Sequence, residues 1–191
     1  MLGVDAVVIT GTSCAGKTTV AAELAKRLPE PCALIHLDDV RAQIVAGALS
    51  VWSPFPPTQA ALDQWATAIE ICGDAARRYT DRGWSCVIDA PGIYLDDNPW
   101  PPFRHAAWAN ALAGLNWTMV VLHPTLEEVE RRASLRRGEP AAGDRRLAAM
   151  HGAMEAWREH PAATVVDPTG LDVARSADAI LEALAALPTL R

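Results

Sequence analysis

Lysine is nearly missing from this chain. Of its 17 basic side chains only two are lysines, Lys17 and Lys26, and the rest are arginines. That scarcity excludes the Asn/Thr-Lys-x-Asp element with which switch GTPases read guanine, because both lysines lie near the N-terminal end of the sequence. A basic surplus is missing too. The net charge of -6 provides no overall field for a nucleic-acid backbone. The arginines that cluster between Arg131 and Arg146 suit a compact anion better than a long one. No apolar run approaches the ~18 residues that a membrane span requires. The four cysteines, Cys14, Cys32, Cys72 and Cys86, form no Cys-x-x-Cys pair and have no histidine at zinc-ligand spacing. They read as free thiols of a reducing compartment. A basic segment followed by an apolar one is not found at the N-terminus. These absences predict a cytoplasmic protein with neither a membrane nor a nucleic-acid polymer as partner, and leave association between copies open.

What is present is half apolar and carries little charge, the composition of a globular domain with a full core. One domain over residues 1–191 is expected. Ala6–Thr10 is a short β-branched run that ends in a glycine loop, hence a buried strand, and Thr18–Leu28 continues as a helix. Ala33–Leu37 predicts a second strand, and Val40–Leu49 a helix that Asp39 would cap. Ala61, Trp65, Ile69, Cys72 and Ala76 recur at helical spacing within Gln59–Arg82. Further strands are expected at Cys86–Ile88, Thr118–Leu122 and Thr164–Val166. Between and after them come helices at His105–Leu112, from the capping box Thr125-Leu-Glu-Glu128 to about Arg137, on to about Glu159, and at Val173–Leu187. This alternation specifies an α/β fold in three layers, a five-stranded parallel sheet flanked by helices.

The segment Gly11-Thr12-Ser13-Cys14-Ala15-Gly16-Lys17-Thr18 fits G-x-x-x-x-G-K-[ST] at every defined position, between a strand and a helix. The glycines let the backbone curl until successive N–H groups point inward, and the helix adds its positive dipole end. Lys17 would reach the β- and γ-phosphates of a nucleotide, with Thr19 beside it, while the Thr18 hydroxyl would coordinate magnesium. ATP and Mg²⁺ are the expected cofactors.

Phosphate loops serve switches, motors and kinases alike. Asp89-Ala-Pro-Gly92 spells the D-x-x-G of a switch, but the guanine element is missing. A motor typically places Asp-Glu at the end of its third strand, and here Ala90 follows Asp89. Both absences favour a kinase. Asp89 ends an apolar strand on the edge that faces the phosphate loop, where a carboxylate holds a magnesium-bound water. Asp38 ends the second strand on the same edge and would orient and deprotonate an acceptor hydroxyl, with Asp39 as the competing base. Arg41 would hold an anionic or carbonyl group of that acceptor. Arg132 and Arg136 share a helix face and read as lid arginines that clamp phosphates and neutralise the moving charge, with Gly138 and Gly143 flanking a hinge. The alternative for this helix, Arg131 and Arg137 included, is a surface laced with Glu–Arg pairs. Trp52, Phe55, Tyr94, Trp100, Phe103 and Trp108 suggest a flat or partly apolar acceptor, or else simply pack their loops on the core. The five histidines have no metal-site or catalytic spacing.

On these residues the chain resembles the small P-loop kinases of the nucleotide- and shikimate-kinase type, and within them is most similar to the chloramphenicol phosphotransferases, which phosphorylate an antibiotic hydroxyl. The similarity runs through the phosphate loop, Leu28-Pro-Glu-Pro31, Leu37-Asp38, Val87-Ile-Asp89, Gly143-Asp-Arg145 and Val165-Val-Asp-Pro-Thr169. It implies a P-loop kinase fold with a helical lid at about residues 125–150, acceptor-site loops at about 40–65 and 90–108, Asp38 as base, and Asp167–Gly170 near adenine. Residues 50–60 and 90–104 depart from the family pattern. The implied activity is transfer of the γ-phosphoryl group of ATP to a hydroxyl of an antibiotic or nucleoside-like natural product. The alternatives are a nucleoside, nucleotide or sugar-acid kinase of primary metabolism, and a nucleotide-dependent switch protein.

Overall fold

The apolar run Ala6–Gly11 forms β1 at the centre of the sheet, buried along its whole length. The computed structural model describes residues 4–51, 56–97, 103–137 and 143–186, the side chain of Arg137 excepted. Within these lie α1 (Lys17–Ala25), β2 (Cys32–His36), α2 (Leu37–Ala42), α3 (Gln59–Thr80), β3 (Ser85–Asp89) and α4 (His105–Ala111). They are followed by β4 (Trp117–Leu122), α5 (Leu126–Arg137), α6 (Arg145–Met154), a 3₁₀ turn (Glu155–Glu159), β5 (Ala163–Val166) and α7 (Val173–Ala185).

The five strands are all parallel, in the order β2-β3-β1-β4-β5. Each strand reads as a continuous apolar run because helices cover both faces of the sheet. On one face Val8, Ile88 and Val121 meet Trp65, Ile69 and Cys72 of α3, Trp108 of α4, and Trp157. On the other, Val7, Ile9 and Val120 meet Leu24 of α1 and Ile180 and Leu184 of α7. A buried leucine or isoleucine contributes about 1.5–3 kcal/mol. The helical spacing of α3 therefore marks a contact surface: its residues 61, 65, 69, 72 and 76 are all buried. Its N-terminus is capped by Thr58, whose hydroxyl accepts from the Ala61 N–H.

The second helix departs from expectation. It spans Leu37–Ala42 rather than Val40–Leu49, because the fully buried Leu37 anchors its first turn against the core while the chain turns away at Gly47, with φ of +73°. His36 occupies the N-cap position, so Asp39 is not the cap, and Asp38 and Asp39 both sit in the first turn. Their charges favour that end of the helix. The capping box of α5 is half formed. The Thr125 hydroxyl accepts from the Glu128 N–H, but the Thr125 N–H donates to the Thr169 hydroxyl, and the Glu128 carboxylate turns to arginines instead. No helix among the described residues is long and apolar enough to cross a membrane.

Candidate active site

The carboxyl ends of β1, β2 and β3 and the start of α1 meet at one edge of the sheet, and the phosphate loop hangs there. Gly11 has φ of +147°, and a Cβ on it would stand 2.3 Å from the Leu122 carbonyl oxygen, so only glycine lets β1 leave the sheet beside β4. Gly16 (φ +97°) and Cys14 (φ +63°) take left-handed conformations that curl the loop. Ala15 is buried beneath it, and Cys14 packs on Val129, Ala133 and Leu147 of α5 and α6.

Lys17 folds back over the loop, its Nζ donating to the Thr12 carbonyl at 2.9 Å. Burial pushes its ammonium below the ordinary value, an effect opposed by Asp89, Asp38 and Cys14 and reinforced by Arg136. Residues far apart in sequence thus act on one cation. The Thr18 hydroxyl is exposed and takes no hydrogen bond among the described residues, whereas Thr19 donates to the Gly16 carbonyl at 2.9 Å. Asp89 ends β3 with its side chain 10% exposed. An unengaged hydroxyl and a nearly buried carboxylate with one oxygen free suit Mg²⁺, which keeps most of its water and takes one or two protein ligands beside phosphate oxygens.

Arg132 and Arg136 have different surroundings. Arg132 donates to the Ala15 carbonyl at 2.9 Å, the Pro168 carbonyl at 3.1 Å and Glu128 at 2.7 Å, tying the phosphate loop to the loop after β5. Arg136, one turn on, is exposed and makes no hydrogen bond among the described residues. Arg131 pairs with Glu128 on the surface, as the surface-pair alternative expects. Arg131 and then Arg132 hold the Glu128 carboxyl down to about 2. A cavity of about 700 Å³ opens beside Arg132, lined by Gly16, Thr19, Gly170, Asp172 and Ser176. Its position next to the phosphate loop and Asp167–Gly170, and its size, fit a nucleoside.

On the opposite side, Asp38 and Asp39 are exposed. Arg41 is engaged with the protein: its guanidinium lies 4.6 Å over the Trp65 ring and donates to the Leu49 carbonyl. Tyr94, Phe103 and Trp108 are buried in the larger core cluster, so for these three the packing alternative holds and they present no acceptor-binding face. Trp52, Phe55 and Trp100 lie outside the described residues, as do Gly138 and the side chain of Arg137.

Sequence reasoning gave the histidines no role, yet three of them are built into this region. His36 Nδ1 lies 3.0 Å from Asp89 Oδ2, a contact that follows from the register in which His36 and Asp89 are partners across β2 and β3. The only available signal was that both strands end at the same edge. His123, 1% exposed, contacts Glu155 at 2.6 Å through Nε2 and stacks on His151, whose Nε2 donates to the Pro124 carbonyl. Nothing in the spacing of these residues announced that cluster.

No curated protein matches the chain by sequence. Solved structures share its fold at low identity. A sugar kinase from Janibacter sp. HTCC2649 is similar at a TM-score of 0.64 and 18% identity over 97% of this chain and 96% of that one. A thymidylate kinase from Candida albicans aligns at 0.65 and 18%, over 93% and 89%. The tunicamycin resistance protein of Deinococcus radiodurans aligns at 0.64 and 17%, over 97% of each chain. The architecture is thus the P-loop kinase fold. Residues 7–161 match the model of an AAA domain, and the chain belongs to that family, alongside the P-loop small-molecule kinases whose fold it has.

Proposed function

We propose that this protein is an ATP-dependent O-phosphotransferase acting on a small molecule. One observation carries the reading: Lys17, seated in a complete phosphate loop, has Asp89, Asp38 and Arg136 acting on it from three other elements. A donor phosphate at the loop would thus find a cation beneath it, a metal carboxylate beside it and a base across from it.

The loop amides and Lys17 hold the β- and γ-phosphates, and the cavity beside Arg132 takes the nucleoside. Thr18 and Asp89 would hold Mg²⁺, which when bound draws negative charge from the phosphate oxygens. Asp38 accepts the proton of the acceptor hydroxyl as its oxygen bonds to the γ-phosphorus. The bond from that phosphorus to the bridging oxygen breaks, and ADP leaves with the electron pair. Arg136 neutralises the charge spread over the moving group, while Arg132 serves the nucleotide side.

The acceptor we favour is a hydroxyl of an antibiotic or nucleoside-like natural product, on the resemblance through Leu28–Pro31 and Gly143–Arg145. A primary-metabolic sugar or nucleotide acceptor is the second reading, because the neighbours in fold include a sugar kinase and a thymidylate kinase as well as an antibiotic resistance protein. The four free thiols are in keeping with the cytoplasm. The test is ADP release from ATP-Mg²⁺ across a panel of nucleosides, sugars and antibiotics. Acceptor-dependent release supports the proposal, and equal ADP release with every acceptor and with none defeats it.

A further inference from the structure

The pairing of His36 with Asp89 sits inside the proposed metal site and belongs to no part of the reaction so far. Facing a carboxylate, Nδ1 is the protonated nitrogen and donates. Asp89 has a second suitor. Lys17 is close enough for Asp89 to be the strongest of the charges acting on its ammonium, yet the two form no ion pair, and Lys17 donates to the Thr12 carbonyl instead. An Asp89 free to rotate would be drawn onto that cation. Such a collapse would remove the phosphate-gripping ammonium and the metal carboxylate together.

We infer that His36 is a positioning residue: its Nδ1–H pins Asp89 Oδ2, holds the carboxylate off Lys17, and leaves Oδ1 free for a metal-bound water. Three observations support this. The strand register sets the two residues side by side. Asp89 Oδ1 has no hydrogen-bond partner among the described residues. His36 also stands at the N-cap position of α2 but makes no side-chain cap hydrogen bond, so its Nδ1–H is left to Asp89. Groups that hold a metal carboxylate from behind are typically worth about 10–100-fold in metal affinity or activity.

The inference rests on the reading of Asp89 as the carboxylate for magnesium, and the experiment separates the two. Affinity for a non-hydrolysable ATP analogue is measured by calorimetry with and without Mg²⁺, for the wild type, Asp89→Asn, and His36→Leu, His36→Gln and His36→Asn, with a melting curve for each. The asparagine amide stands where Nδ1 stands, whereas the glutamine amide reaches the position of Nε2. In the wild type Mg²⁺ strengthens binding, and Asp89→Asn loses that gain. His36→Leu and His36→Gln are expected to lose about 10-fold of it, and His36→Asn to recover most. Wild-type gain in His36→Leu, or equal behaviour of the asparagine and glutamine variants, overturns the inference while leaving Asp89 in place. Wild-type gain in Asp89→Asn overturns the metal reading itself. Should His36→Leu fail to fold, the asparagine–glutamine contrast still decides.

Discussion

The two sides of the cleft are built in different ways. On the nucleotide side the work falls to backbone: Gly11 and Gly16 shape a ring of amides, and Arg132 spends all its hydrogen bonds within the protein, on Glu128 and on two carbonyls of neighbouring loops. The side we propose for the acceptor has side chains on a short helix, two exposed carboxylates, and an arginine already stacked on Trp65. A triphosphate tail is the same in every kinase, so a preformed cradle can serve it at little reorganisation cost. An acceptor differs from enzyme to enzyme, and its recognition rests on loops that change freely.

The largest way to break this comparison is Lys17→Ala. It removes the one ammonium of the cradle and should lower kcat/KM for ATP by about 10³-fold or more, the scale of losing a preorganised charge donor. Retained turnover would mean that the amides alone suffice. Asp38→Asn tests the other side. It should lower kcat by about 10²–10⁴-fold with little change in nucleotide affinity, as measured by steady-state kinetics beside direct binding. If Asp39→Asn shows that loss and Asp38→Asn does not, the base is the neighbouring carboxylate.

The same contrast governs what could be read from sequence. The phosphate loop was legible because its geometry is dictated locally: particular φ angles demand glycine, and one of only two lysines stands out in a chain rich in arginine. The five strand positions and the buried face of α3 followed from periodicity, whereas the order of the strands came only with the structure. The second helix was misplaced because Leu37 looked like the last residue of a strand, and only the core beneath shows that its burial starts a helix. For Tyr94, Phe103 and Trp108 the acceptor reading and the packing reading stood side by side, because burial is not written in composition. His36 was passed over for a different reason. Its partner lies 53 residues away, and the two meet only through strand register.

Splitting Arg132 from Arg136 sharpens the comparison within α5. Arg132→Ala breaks charge-assisted hydrogen bonds worth about 1.5–3 kcal/mol each, and should weaken nucleotide binding by about 10-fold or more with a measurable fall in melting temperature. Arg136 has no such bonds among the described residues, so Arg136→Ala should leave the melting temperature alone and lower kcat. If both variants lost affinity and stability in parallel, the two arginines would share one role.

The smallest effect concerns acid. Burial pushes His123 below the ordinary imidazole value despite the opposing pull of Glu155, so the neutral ring donates to that carboxylate while stacked on His151. The unfolded chain takes up a proton near pH 6.5 that the folded protein refuses. Stability present above that pH is therefore lost as pH falls through it toward the lower folded value. Glu128 behaves as a depressed carboxyl in a lower window: its contribution holds above pH ~4.5 and fades as pH falls toward about 2. His123→Gln keeps a donor for Glu155 without a titrating ring. It should flatten part of the decline between pH 7 and 5, the half-buried His105, which burial also pushes down, retaining the rest, and leave the decline below pH 4.5 unchanged. Melting temperatures across that range check this. Because the His123–His151 stack joins the end of β4 to α6, loss of nucleotide affinity should begin in the upper window. An affinity that stays flat to pH 5 while the melting temperature falls would separate the stack from the nucleotide side.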